Sequence, residues 1–187
     1  MLAAEVALTA FSRIYLGVHM PQDILVGACV GIPVMWLTLK LMNWLAAHPE
    51  KDLTVMWIGI ALAAAVAVYA ALKSYPADFD AQGKLLVDGA KMANDTFKGV
   101  GWCSAFFIGW VLERRFVGFS TDIPMKLRIT RLAEGLLGYY IVSLILLPLI
   151  KNLIPGPAGT IASCFLQMFY IVFLFPVLMN RWSRSLS

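Results

Sequence analysis

Four polar residues near the start of the chain have the types and spacing that suit phosphoryl transfer. In the segment SRIYLGVHMPQD, Ser12 and Arg13 are followed by His19 and then by Asp23. Arginine can bind phosphate oxygens through a fork of N–H groups, imidazole can attack phosphorus or hold a proton, and a carboxylate can orient the imidazole ring. The segment lies between apolar stretches, where polar side chains are costly and are usually kept for function. We therefore take these residues as the candidate site.

The same residues resemble the third signature motif of the type 2 phosphatidic acid phosphatase (PAP2) superfamily, S-R-x5-H-x3-D. Every signature position is matched, within a stretch from Ala10 to Gly31. The resemblance implies that His19 is the nucleophile and forms a phospho-histidine intermediate, that Asp23 holds its ring and that Arg13 binds the phosphate. Ser12 could hydrogen-bond a phosphate oxygen or cap the helix end. The resemblance also implies a phosphorylated lipid as substrate, with no metal and no other cofactor.

Two further motifs of that superfamily are not in this sequence. The pattern also includes K-x6-R-P and P-S-G-H, whose histidine protonates the leaving group, but the chain has no Arg-Pro pair and no Ser-Gly-His. The other histidine, His48, lies in AAHPEKD with none of that motif around it. Both motifs precede the third one in the superfamily, and here only eleven residues precede Ser12. We therefore expect the C-terminal part of such an enzyme, beginning inside a transmembrane helix.

Two functional hypotheses follow. The first is a lipid phosphate or pyrophosphate phosphatase that acts through phospho-His19 at the extracytoplasmic face of the membrane. The second is a truncated or divergent chain that is catalytically silent and has a binding or assembly role. It is favoured by the missing motifs, because positioning and electrostatics supply most of phosphoryl-transfer catalysis. A transporter or channel agrees less well with the sequence, because apart from Glu5 the spans carry almost no ionisable residues at mid-membrane.

The composition indicates an integral membrane protein. Hydrophobic residues make up 60% of the chain and charged residues 14%, whereas soluble domains usually carry about 25% charged residues. The net charge of +4 comes from scattered Lys and Arg beside apolar spans, so we expect no nucleic-acid partner. Cys29, Cys103 and Cys164 lie in apolar segments without a C-x-x-C pair, which predicts reduced thiols and no metal site.

The hydropathy pattern predicts an all-α, polytopic transmembrane bundle, with a truncated first helix followed by about five transmembrane helices. A span needs about 20 apolar residues. Five segments qualify or nearly qualify: Gln22–Ala46, Leu53–Leu72, Gly99–Leu112, Leu132–Ile150 and Ala158–Asn180. We interpret residues 1–187 as a single integral membrane domain. Within it, residues 1–46 resemble the end of a catalytic core, and residues 47–187 add further transmembrane helices.

Pro21 predicts the start of the helix that positions the candidate site. Proline is favoured at the first position of a helix, so we expect the helix to run from Gln22 onward. Asp23 then lies in the first turn, where a carboxylate is favoured by the helix dipole and by free backbone N–H groups. Asp23 can therefore cap the helix, reach back to His19, or do both. The same helix N-terminus also favours a bound phosphate.

The distribution of basic residues predicts the orientation. If the motif faces outside, the loops on the other side hold the larger basic cluster, as the positive-inside rule requires. That cluster is Lys51, Arg114, Arg115, Lys126, Arg128, Arg131, Arg181 and Arg184. We expect a multi-pass protein of a bacterial inner or plasma membrane, with membrane lipid around it and either a homo-oligomer or a complementing chain as partner. The polar segment Lys73–Lys98 would be a solvated loop or an amphipathic lid on the outer surface.

Overall fold

The computed structural model describes residues 2–17, 20–75, 78–83, 85 and 88–185. Apart from an isolated bridge between Phe79 and Leu85, the regular structure of these residues is entirely helical. The chain divides into two compact units, Met1–Lys51 and Asp52–Ser187, and each is described by itself. The predicted all-α helical bundle is confirmed.

The first unit contains two helices and a short 3₁₀ turn. Helix α1 spans Leu2–Tyr15, α2 spans Pro21–Ala47, and the turn is Pro49–Lys51. At a rise of about 1.5 Å per residue, α2 is about 40 Å long, which is enough to cross a hydrocarbon core of about 30 Å with tilt. Within the described residues of the first unit, nothing buries its most apolar stretch, so these side chains are available to lipid or to other helices.

In the part of the second unit that the structure describes, there are four helices. Helix α4 packs against α3 and α6, and α6 also packs against α5. Their bounds are α3, Asp52–Leu72; α4, Gly89–Leu112; α5, Met125–Leu153; and α6, residues 157–185. Small residues allow the close approach that membrane helices need, because lipid supplies no hydrophobic drive between them. At Gly101 of α4, for example, an added Cβ would lie 2.5 Å from the Ile161 carbonyl oxygen of α6.

Among the described residues, four helices are long and apolar enough to span a membrane. They are Pro21–Ala47, Pro49–Leu72, Met125–Leu153 and Pro157–Asn180, and each contains one of the predicted spans. The fifth predicted span, Gly99–Leu112, is the second half of α4, whose 24 residues also include the polar stretch from Gly89 to Lys98. The segment Lys73–Lys98 is therefore helical from Gly89 onward, as an extension of α4 rather than a separate surface element.

Wide π-helical turns interrupt the helices of the second unit. They are Glu113–Val117 after α4, Val142–Leu146 within α5 and Tyr170–Leu174 within α6. Each has i→i+5 winding, which is uncommon and is frequently found at functional sites. The first ends at Gly118, whose φ of 58° stops the helix in a conformation that glycine adopts without strain. The other two lie beside the polar network and the groove that α5 and α6 form, both described below.

Candidate functional site

The turn between α1 and α2 holds the predicted polar cluster. Arg13 lies in the last turn of α1. Gly17 follows the helix with a φ of 66°, which is readily adopted only by glycine, and its N–H donates to the Ile14 carbonyl oxygen at 2.9 Å. Helix α2 begins at Pro21, one residue before the predicted start. The end of α1 and the start of α2, which carry Arg13 and Asp23, are therefore separated by a short segment of sequence.

Asp23 caps the N-terminus of α2. Its carboxylate Oδ2 accepts a hydrogen bond of 2.8 Å from the Met20 N–H, and its own N–H donates to the Met20 carbonyl oxygen at 3.0 Å. These bonds satisfy groups that the first helical turn leaves without intrahelical partners. The predicted capping role of Asp23 is confirmed. Met20 directly follows His19 in the sequence, so the carboxylate is bonded to the backbone of the residue after the predicted nucleophile.

Of the remaining predicted site residues, the structure describes Ser12 and Arg13 but not His19. The Ser12 hydroxyl donates to the Thr9 carbonyl oxygen at 2.8 Å, within α1. Ser12, Arg13 and Asp23 are all exposed. His19 lies outside the described residues, so its predicted role as the nucleophile stays a prediction.

The helix ends give this turn an electrostatic character that suits an anion. Arg13 lies in the last turn of α1, where a cation is favoured by the partial negative charge of the helix end. The first turn of α2 carries the opposite partial charge and directs backbone N–H groups outward. Each of these two features favours an anion, and their residues lie close together in the sequence.

Neither the cysteines nor the second histidine forms a further site. Within the described part of the chain, no three His, Cys, Asp or Glu residues are grouped so that they could hold a metal ion. Cys29 and Cys103 are exposed free thiols, and Cys164 is a buried one. The His48 Nδ1 lies 2.8 Å from the Trp44 carbonyl oxygen, and its ring stacks on the Trp44 ring at 4.7 Å between centroids. His48 thus closes the C-terminal end of α2, about 40 Å of helix away from the motif.

A buried ion pair in the second unit was missed by the sequence analysis. Arg114 Nη1 donates to Asp52 Oδ1 at 3.0 Å, and Asp52 is only 1% exposed. The signal was present, because Asp52 stands at the start of an apolar helix and Arg114 comes two residues after the end of another. Neighbouring antiparallel helices bring such ends together, but the sequence alone does not say which helices are neighbours.

A polar network centred on Gln167 was also missed. Its side-chain amide accepts a hydrogen bond from Trp102 Nε1 at 3.2 Å and donates to the Tyr139 hydroxyl at 2.7 Å and the Ser143 hydroxyl at 3.3 Å. These bonds join α4, α5 and α6. Hydrogen bonds between helices are one of the forces that hold membrane bundles together. The surrounding aromatic run, FLQMFYIVFLF, hides this role in the sequence.

Comparison with known families agrees with the fold and with the motif. The helices define a polytopic, all-α integral membrane protein. Residues 1–47, which contain the whole motif, match the PAP2 superfamily, and residues 97–185 match the PAP2 superfamily phosphatase transmembrane extension. The two matches together span more than half of the chain, and the chain belongs to the PAP2 superfamily. No match was found among curated proteins or among solved structures.

Proposed function

We propose that this PAP2 superfamily membrane protein removes one phosphate from a lipid phosphate or a lipid pyrophosphate through a phospho-histidine on His19. The supporting observation is the superfamily match to residues 1–47, which include the full S-R-x5-H-x3-D motif at the turn that Asp23 caps. Residues 1–46 would then be the end of a catalytic core, and the later helices a membrane-embedded extension of it. Membrane lipid is both the surroundings and the source of substrate.

The proposed reaction has two steps. A ring nitrogen of His19 attacks phosphorus, and the bond from phosphorus to the lipid oxygen breaks with its electron pair leaving on that oxygen, which takes up a proton. Water then attacks the phospho-histidine, so that inorganic phosphate leaves and the imidazole is restored. Arg13 would bind the phosphate oxygens as a two-pronged donor, and Asp23 would accept from the other ring nitrogen and stabilise its positive charge.

The proton for the lipid oxygen needs an acid that the motif does not supply. The superfamily's acid histidine has no counterpart in these 187 residues, and His48 stands at the far end of α2. The proposal therefore takes this acid from outside these residues, for example from a complementing chain; further copies of the same sequence in a homo-oligomer would not supply the motif's acid histidine. The alternative is a chain that binds phosphorylated lipid at the Arg13 turn without turning it over, and the lack of an Arg-Pro pair and of a Ser-Gly-His favours it.

The test is phosphate release by membrane vesicles prepared from cells that express the full chain, so that a complementing chain can be present, after addition of phosphatidic acid, phosphatidylglycerol phosphate or a polyprenyl pyrophosphate. With ³²P-labelled lipid, the protein should take up a label that is lost in acid and kept in alkali, as expected of a phosphoramidate bond. His19→Ala should abolish both release and label, while His48→Ala should leave them unchanged. Release that persists in His19→Ala would refute the proposal. Vesicle binding that depends on Arg13, without release, would favour the silent alternative.

We also propose that the motif faces the extracytoplasmic side of a bacterial inner or plasma membrane. The support is the positive-inside rule: if each helix from α2 to α6 crosses the membrane, the basic cluster falls in the loops on the side opposite the motif. Thiol labelling in intact cells tests this with single cysteines placed at two exposed positions, Tyr15 and Phe116, in a chain whose native cysteines are replaced by serine. A membrane-impermeant reagent should label the first and not the second. The reverse pattern would overturn the orientation.

A further inference from the structure

A groove of about 760 Å³ lies between α5, α6 and the loop that precedes α5, entirely within the second unit. The α5 residues that line it fall at intervals of three and four, which places them on one face of the helix. They are Arg128, Arg131, Leu132, Gly135, Leu136 and Tyr139. The groove therefore runs along one face of α5, and its volume is in the range of small-molecule sites.

One end of the groove is charged and held in place by the loop. Arg128 Nε donates to the Ile123 carbonyl oxygen at 2.8 Å, and Arg131 Nη1 donates to the Ser120 carbonyl oxygen at 3.1 Å. The Arg131 guanidinium also lies over the Phe119 ring, 4.8 Å from its centroid. These contacts hold both guanidinium groups at this end of the groove. Asp122 also lines this end, so the two arginines and this carboxylate together carry one net positive charge.

The body of the groove is apolar, and its length along α5 is about the thickness of one membrane leaflet. From Arg128 to Tyr139 the rise of α5 is about 16 Å, roughly half of a hydrocarbon core of about 30 Å. Tyr170 forms the floor, 8% exposed, and its hydroxyl donates to the Gly135 carbonyl oxygen at 3.4 Å. At the deep end, the Tyr139 hydroxyl accepts from Gln167 Nε2 at 2.7 Å. The polar network thus closes the groove, while Leu136 on its side is 49% exposed.

We propose that this groove binds a membrane phospholipid, with one acyl chain along α5 and the headgroup phosphate at Arg128 and Arg131. The apolar body accepts an alkyl chain without unpaired polar groups, whereas a peptide segment there would leave backbone groups unsatisfied. Two arginines held side by side suit a phosphate diester, which accepts forked N–H donors. The site belongs to the transmembrane extension, uses none of the motif residues and does not depend on the proposed phosphatase activity.

The headgroup part is tested by lipid retention on the purified full chain in detergent, measured by native mass spectrometry. The probes are phosphatidylglycerol, phosphatidylethanolamine and a diacylglycerol with the same acyl chains. Either phospholipid should be retained roughly tenfold better than the diacylglycerol, because forked, charge-assisted hydrogen bonds to phosphate are strong and tenfold corresponds to a modest energy. Comparison of phosphatidylglycerol with phosphatidylethanolamine shows whether the groove prefers an anionic or a zwitterionic headgroup. Equal retention of all three would overturn the phosphate assignment.

Two matched pairs of variants locate the site. The double variant Arg128→Gln, Arg131→Gln should reduce phospholipid retention to the diacylglycerol level, while Lys126→Gln, on the same turn of α5 but outside the groove lining, should not. Leu136→Trp should fill the groove and abolish retention, while Leu137→Trp, the 64% exposed neighbour on another face, should not. If Leu136→Trp does not fold, Leu132→Trp replaces it, since Leu132 lines the groove and is 63% exposed. Equal behaviour within a pair would refute the site.

Discussion

Arg114 joins the end of α4 to the start of α3 through a 3.0 Å bond from its Nη1 to Asp52 Oδ1. The Asp52 side chain is 2% exposed and the Arg114 side chain 27% exposed. A buried carboxylate loses its hydration and is tolerated only when a partner replaces it. The arginine can stay half in water, so the pair ties the two helices together at the edge of the bundle, not in its centre.

Removing the arginine alone should destabilise the second unit. Arg114→Met leaves the Asp52 carboxylate buried without its cation, and we expect a loss of about 2–3 kcal/mol in the free energy of unfolding, less than for a fully buried pair because Arg114 is partly hydrated. Arg115→Met is the matched control, since Arg115 is exposed, and should change stability by less than about 0.5 kcal/mol. Adding Asp52→Asn to Arg114→Met should recover part of the loss in a denaturant titration. A double variant less stable than Arg114→Met would contradict this explanation.

A methyl group at Gly138 should separate α5 from α6. An added Cβ there would overlap the Tyr170 hydroxyl, so Gly138→Ala should lower stability by about 1–3 kcal/mol through overpacking. Gly99→Ala is the control: its Cβ would meet nothing within 4 Å, and alanine favours a helix over glycine by roughly 1 kcal/mol. Adding Tyr170→Phe should partly rescue Gly138→Ala in thermal unfolding, because it removes the overlapped oxygen. Equal effects at Gly138 and Gly99 would show that the close contact is absent.

The Gln167 network should contribute stability that no single partner accounts for. Gln167→Leu removes bonds to Trp102, Tyr139 and Ser143 at once, and we expect a loss of about 1–3 kcal/mol, since each interhelical bond contributes about 0.6 kcal/mol on average and up to about 1.7. Tyr139→Phe should cost less. A double-mutant cycle between Gln167→Leu and Tyr139→Phe, followed by unfolding in mixed detergent, measures their coupling. Additive effects would mean that the 2.7 Å bond contributes nothing.

Substitutions at Asp23 separate capping from chemistry. Asn can still accept from the Met20 N–H and cap α2, but it cannot stabilise an imidazolium by charge. Asp23→Asn should therefore keep the stability of the first unit and lose phosphate release, whereas Asp23→Ala should lose release and also about 1 kcal/mol of stability. Circular dichroism on heating reports stability, and the vesicle assay reports release. Unchanged release in Asp23→Asn would leave Asp23 with the capping role alone.

The features that follow from local sequence were predictable, and those that depend on which helices are neighbours were not. Pro21 and Asp23 define the start of α2 through their own backbone chemistry, so the sequence predicted that start to within one residue. The first half of α4 was predicted as a loop or lid because Lys91, Asp95 and Lys98 lower its hydropathy, although the segment continues the helix. Charge alone cannot distinguish a polar loop from the polar end of a long helix.

The contacts between residues of different helices could be found only from the structure. In the sequence, Arg128 and Arg131 help to predict the membrane orientation. Nothing in the sequence shows that they share a groove with Phe175, more than forty residues later. Gln167 likewise stands within an aromatic run that reads as a lipid-facing or core surface. Its partners Trp102 and Tyr139 come from two other helices, so its role depends on the order in which α4, α5 and α6 pack.

The π turn at Tyr170–Leu174 makes the composition of the groove depend on the number of residues in α6. In regular α-helical winding, Tyr170 and Phe175 would differ by about 140° around the axis. Here both line the groove, and their ring centroids are 6.3 Å apart. Deleting one residue from the turn would restore 3.6-residue winding and leave four steps between these two residues, so they would still lie on one face, about 40° apart. Deleting one residue from a regular part of α6 that precedes the groove would instead rotate the following residues by about 100° and change which of them line the cavity.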